Sequence, residues 1–143
     1  MRVYLDNCCL QRPLDNQMLP RIRVETEAVL AAVQAKELSL LSSEALQYEV
    51  NRIPDEARRT EVLSVLTMAS EHLQVTNAAE VLALSFEQQG VEPLDALHLA
   101  LASTAKADFF CTCDDRLFRK AQSLVGLNCK VMTLLNLIPE ITT

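Results

Sequence analysis

Three aspartates stand where a strand ends or a helix begins, and they are the residues with which this sequence could do chemistry. Asp6 directly follows the apolar run Val3-Tyr4-Leu5, Asp114 follows Phe109-Phe110-Cys111-Thr112, and Asp95 comes two residues after Pro93. A carboxylate at the end of a buried strand costs desolvation energy unless something compensates it, and a metal ion would do so. Magnesium and manganese want hard oxygen ligands, usually a few carboxylates with water and substrate phosphate. Two such ions about 4 Å apart activate water on one side of a phosphodiester and stabilise the leaving oxygen on the other. Each acid also has a plainer role: Asp114 as a helix cap, Asp95 as a first-turn acid, Asp6 as a turn residue. Their joint occurrence carries the argument. Glu44 and Glu49 compete for a further acidic position. Five residues on a helix turn through about 500°, so the two point roughly 140° apart and cannot both face one pocket.

The elements that must position these acids follow from hydrophobic spacing and punctuation. Residues 2 to 6 read as a buried strand ending in Asp6, followed by a loop containing Pro13. Ile22, Val24, Ala28, Val29, Leu30 and Val33 have helical spacing, which predicts a helix from about Pro20 to Lys36. Leu38 to Leu41 is a second strand, after which Ser42-Ser43 offers a cap for a helix carrying Glu44 and Glu49 that Pro54 stops. Asp55 to Ser70 predicts a further helix, His72 to Val75 a short strand or connector, and Asn77 a cap for a helix ending at Gln88-Gln89-Gly90. Pro93 suits the first turn of a helix reaching about residue 105. Asp108 to Thr112 is a strand, Asp114 caps a helix over 115 to 124, and Lys130 to Thr133 is a last strand. Strands separated by helices imply a three-layer α/β/α sandwich around a parallel sheet of four or five short strands. In such sheets ligands bind beyond the carboxyl ends of the strands, near the point where strand order reverses. That is where Asp6 and Asp114 fall.

The chain resembles the PIN-domain family from Val3 to about Ile138. The matching pieces are Val3-Tyr4-Leu5-Asp6-Asn7, an acid on the helix after the second strand, Pro93-Leu94-Asp95-Ala96-Leu97-His98-Leu99-Ala100, and Phe110-Cys111-Thr112-Cys113-Asp114. The last two are fairly specific in combination and order. The resemblance implies a metal-dependent ribonuclease, frequently the toxin of a bacterial toxin and antitoxin pair, and often dimeric. It implies that Asp6 and Asp95 are metal ligands and that Asp114 is a third acid and ligand in the pocket. Asn7 becomes the polar neighbour of Asp6, and the family's helical acid favours Glu49 over Glu44. Asn7, where the family often carries a small hydroxyl residue, and the thiols Cys8 and Cys9 depart from the common pattern.

Length and charge set bounds on this reading. With 143 residues, half of them hydrophobic, the chain is expected to form one domain over residues 1–143, burying roughly 70% of its unfolded surface. Asp6 interrupts the first apolar run too early for a signal peptide, and no stretch approaches the roughly 20 apolar residues of a membrane span. Five cysteines, an odd number, fit reduced thiols and a cytoplasmic protein. A net charge of −6 counts against a simple nucleic-acid binder. Bound Mg2+ or Mn2+ would offset it locally, and Arg116, Arg119 and Lys120 on one segment, with Arg52, Arg58 and Arg59 on another, could supply basic patches. Arg116 and Asn7 are the expected contacts to an RNA substrate. The expected partners are therefore RNA, an antitoxin protein and a second copy of the chain.

Three other classes compete. Cys8, Cys9, Cys111 and Cys113 lie near two strand ends and could hold zinc, but their spacing is unlike the usual knuckles, and Cys111 and Cys113 on a strand are more often core residues. A phospho-acceptor receiver would want an acid adjacent to Asp6 and a lysine beyond the last strand. Asp6 has no acidic neighbour, and Lys130 begins its strand. An idle α/β module that only binds a partner would have no reason to keep a competent acid cluster. His72 and His98 are taken as structural, with His98 beside Asp95 on one helix face.

Overall fold

All five strands run parallel, so every strand delivers its following residue to the same edge of the sheet. The computed structural model describes residues 1–11 and 20–142. The strands are β1 (Arg2–Leu5), β2 (Ser39–Ser43), β3 (Glu71–Leu73), β4 (Phe109–Cys111) and β5 (Lys130–Met132), in the order β3-β2-β1-β4-β5. Strand order reverses between β1 and β4, where Val3 pairs with Phe109 and Leu5 with Cys111. Helices cover both faces, as a parallel sheet requires. The helices are α1 (Asn7–Gln11), α2 (Pro20–Gln34), α3 (Glu44–Asn51), α4 (Glu56–Leu66), α5 (Asn77–Gln88), α6 (Pro93–Thr104), α7 (Asp115–Ala121) and α8 (Leu134–Thr142). The fold is thus the expected α/β/α sandwich, with five strands. No helix among the described residues is long and apolar enough to cross a membrane.

The helix boundaries obey local chemistry. Ser43 caps α3, its Oγ accepting the Leu46 amide at 3.0 Å, and Asp55 caps α4 through the Arg58 amide. The cap of α5 is Thr76 rather than Asn77: its hydroxyl accepts the Ala79 amide at 3.1 Å, and Asn77 is already the first helical residue. Pro93 opens α6, whose Ala96 and Leu99 to Ser103 are buried, the helix packing chiefly against α5 and also on β4. Tyr4 and Phe110, paired across β1 and β4, stack at 5.3 Å and form the centre of the core.

Three differences from the expected elements have physical reasons. Residues 7–11 form a helix directly after Asp6, where a loop was expected; the turn is held by Cys9 and Leu10 amides donating back to Asp6. The loop around Pro13 falls outside the described residues. Cys113 lies beyond β4, which ends at Cys111, so it is not a strand residue. The terminal helix α8 was not expected. It buries Leu134 and Leu137, packs Ile141 on the core and contacts α2 and β5, tolerating Pro139 within it.

Candidate active site

Asp6 is 7% exposed, its backbone amide donating to Cys111 O at 3.1 Å so that β1 is tied to β4 up to its last residue. Its Oδ1 accepts the Cys8 thiol at 2.8 Å and the Cys9 amide at 3.2 Å. Burial drives its carboxyl well above the ordinary aspartate range, against the hydrogen bonds from the Thr112 hydroxyl and the Cys9 amide. A carboxylate so placed lacks a cation to compensate it among the described residues.

The crossover from α6 to β4 fixes Asp95. Because α6 leads into a strand parallel to β1, it runs back across the sheet and its first turn sits at the edge where β1 and β4 end. Asp95 is half-buried in that turn. Burial raises its pKa, the adjacent His98 opposes the rise, and the negative charges of Asp114 and Glu49 add to it. Asp95 is thus within electrostatic reach of both other acids.

Asp114 does two things at once. Its Oδ1 caps α7, accepting the amides of Arg116 at 2.9 Å and Leu117 at 3.2 Å. With Asp95 it also lines a cleft of about 330 Å³ whose rim carries Glu92, Arg116 and Lys120. Gly90, at φ +100, also lines it, with the Lys120 side chain lying against it; a Cβ there would approach Lys120 Nζ to 2.9 Å. Asp6 and Glu49 do not line this cleft; Glu49 lines a separate groove with Tyr48, Arg52, Pro93, Leu94 and Leu97.

The helical geometry separates Glu44 from Glu49 as expected. Glu44 is exposed and its Oε1 accepts the Val75 amide at 2.8 Å, holding the loop after β3. Glu49 turns the other way, its Oε1 3.3 Å from His98 Nε2. His98, expected as a structural residue packed beside Asp95, is 1% exposed, and the Tyr4 hydroxyl, which bridges its Nδ1 at 2.6 Å and Ser43 Oγ at 2.7 Å, ties it to two strands. Its Nε2 faces Glu49 off the line of a hydrogen bond and has no other partner among the described residues. Tyr4 is thereby a positioning residue for His98. Tyr4→Phe should cost about 1–3 kcal/mol, since it strands the buried Nδ1 and one side of Ser43. Urea unfolding of the two proteins checks this; an unchanged midpoint would mean that the bridge contributes nothing.

Asn7 opens α1, and its buried Oδ1 has no hydrogen-bond partner among the described residues. It lies next to Asp6 in sequence, whereas the only close group of metal-type ligands among the described residues is that of Cys8, Cys9 and Cys113. Of the four expected acids only Asp6 is buried, Asp95 and Glu49 are half-buried and Asp114 is exposed; carboxylate and amide oxygens are the ligands that hard divalent cations take. The basic residues divide unequally. Arg116 borders the cleft, whereas the Arg52 guanidinium lies over the Tyr48 ring at 5.3 Å and Arg59 donates to Ile53 O at 2.8 Å.

The thiols gather more closely than their spacing suggested. Cys9 Sγ lies 3.3 Å from Cys113 Sγ, and the sulfurs of Cys8, Cys9 and Cys113 all lie within 4.8 Å of one another. Cys111 is buried in the core outside this group.

Comparison with known proteins agrees with this architecture. The PIN domain family model matches residues 14–123, a span that holds Glu49, Asp95, Asp114 and Arg116 and begins after Asp6. No curated protein matches by sequence. A chain in the crystal structure of VapBC2 from Rickettsia felis bound to a DNA fragment from their promoter is 15% identical, with a TM-score of 0.63 over 93% of this chain and 98% of that one. A chain in the structure of FitAB bound to the IR36 DNA fragment is 16% identical, with a TM-score of 0.63 over 92% of this chain and 94% of that one. At such identities the likeness is one of fold.

Proposed function

Since the chain belongs to the PIN-domain family, whose members are generally nucleases, we propose that it is a magnesium- or manganese-dependent endoribonuclease and the toxin of a toxin and antitoxin pair. The observation that carries the proposal is that Asp95 and Asp114 line one cleft at the sheet edge where buried Asp6 ends its strand, with Glu49 in electrostatic reach of Asp95. Asp6, Asp95 and Asp114 would hold the cations, with Asn7 Oδ1 beside them. When bound, a pair of such ions supplies activation of water and charge stabilisation at the phosphorus. The chain's own residues do the rest. Arg116 and Lys120 at the cleft rim attract the substrate backbone, answering in part the net charge of −6. The cap bonds of Asp114 hold its carboxylate in one orientation, and the Ser43–Tyr4–His98 chain fixes the imidazole that faces Glu49.

The complexes to which the fold is similar support the partner assignment, because VapBC2 and FitAB are each described bound to DNA. A basic antitoxin segment placing a guanidinium in the acid cleft would fit the charge there. Exposed Val81 and Leu84 on α5 support self-association as a homodimer. Five cysteines outside any disulfide fit a reducing compartment, which is the support for a cytoplasmic site of action.

The proposal is tested by offering the purified protein a mixed-sequence single-stranded RNA and its DNA counterpart with Mn2+. RNA fragments and intact DNA are expected; intact RNA under every divalent cation tried would overturn the ribonuclease assignment. Within the site, Glu49→Gln should lower cleavage at least about tenfold, the range seen when groups orienting a metal site are changed. Glu44→Gln should leave it unchanged, because glutamine keeps the acceptor for Val75. The reverse result in the same cleavage assay would move the acidic role to Glu44.

A further inference from the structure

The short helix after Asp6 and the turn after β4 bring three sulfurs to one point, and we infer that Cys8, Cys9 and Cys113 form a zinc site with Asp6 as its fourth ligand. The sulfurs of a zinc thiolate tetrahedron stand about 3.8 Å apart, from bonds of about 2.3 Å. Here the three lie within 4.8 Å of one another, and Cys9 and Cys113 stand at 3.3 Å. Small adjustments of side chains suffice. The fourth position falls to Asp6, whose Oδ1 is 2.8 Å from Cys8 Sγ but stands outside the close group of three sulfurs, so its carboxylate must turn toward Cys9 and Cys113 to complete the tetrahedron; zinc accepts a carboxylate oxygen among thiolates.

The surroundings are those of a supported site. The Cys113 amide donates to Cys8 Sγ at 3.2 Å, and Cys9 is anchored by its own contact to Cys111 O at 3.4 Å. Cys8 and Cys113 are only half-buried, which gives an ion a way in, while Cys9 closes the inner side. Soft thiolates select zinc over magnesium or manganese, whereas the oxygen cluster of Asp95, Asp114 and Glu49 selects the reverse. The two sites meet at Asp6. Resting on the nuclease proposal, this sharing has a consequence: zinc on the thiols withdraws Asp6 from the hard-cation cluster and slows RNA cleavage.

Cobalt titration of the reduced protein reads the site without reference to activity. One Co2+ per chain should give an intense sulfur-to-metal charge-transfer band, displaced by one equivalent of Zn2+. Cys113→Ser should lose most of the band and Cys129→Ser, outside the cluster, should keep it. No charge-transfer band in the reduced wild type, or an undiminished band in a folded Cys113→Ser, would overturn the site. Should Cys113→Ser fail to fold, alkylation of the wild type decides instead. Zinc should protect Cys8 and Cys113 and leave Cys129 as reactive as before; equal labelling of Cys8 and Cys113 with and without zinc overturns the inference. Zinc should then slow RNA cleavage by the wild type at least tenfold and leave Cys113→Ser unaffected. A cobalt band accompanied by zinc-insensitive cleavage overturns the shared ligand, and a band without any RNA cleavage marks a failure of the nuclease proposal alone.

Discussion

Asp6→Asn should reduce RNA cleavage by roughly a hundredfold or more while leaving the metal-free protein at least as stable as the parent. The activity loss follows because even groups that merely orient a metal's ligands cost about 10–100-fold when changed, and Asp6 is proposed as a ligand itself. The stability follows from burial. At 7% exposure burial raises the carboxyl well above its ordinary range, so folding favours its protonated form relative to the unfolded chain. An acid whose pKa is raised by folding contributes stability that is full below its unfolded value, near 3.9, and is lost as pH rises through the folded value. In chelator the parent should therefore melt progressively lower as pH rises from about 4, and Asp6→Asn should show a flatter profile. Thermal melts across pH measure both. A variant that melts well below the metal-free parent at neutral pH would make Asp6 a structural residue satisfied by Cys8, Cys9 and Thr112.

Manganese should raise the melting temperature of the parent, and Asp95→Asn should abolish most of the rise. An ion that binds only the folded form stabilises it by about 2.7 kcal/mol at a hundredfold excess over its dissociation constant. In a chain of this size that corresponds to on the order of 5–10 °C. Asp95 is the best placed residue to remove, since it feels both Asp114 and Glu49 and its position in the first turn of α6 needs no cap from its side chain. Scanning calorimetry with and without Mn2+ checks the shift. An equal shift in parent and variant would place the bound ion away from Asp95.

Much of this site was legible in the sequence because local rules control its parts. Pro93 at the first helical position put Asp95 in a first turn, and the apolar run before Asp114 made that residue both strand follower and cap. Helical periodicity separated Glu44 from Glu49, and the structure shows one on Val75 and the other on His98. What escaped depends on distance along the chain. The Tyr4–His98 bond spans 94 residues, and nothing near either residue announces it. The thiol cluster spans a similar gap, and it was obscured further because β4 has only three residues and sheds Cys113 into the following turn. The five-residue helix α1 is too short to show a period, while α8 carried a usable signal in Leu134, Leu137 and Ile141 that Pro139 disguised.

The most direct test of the account is the rate of RNA cleavage as free Mn2+ is varied with a chelating buffer, for the wild type and Asp6→Asn together. Wild-type cleavage should rise with free Mn2+, vanish in excess chelator and return on adding Mn2+ or Mg2+, with Asp6→Asn near background throughout. Cleavage by the wild type that proceeds equally in excess chelator would contradict it, because the acid cluster would then have no cation to work through.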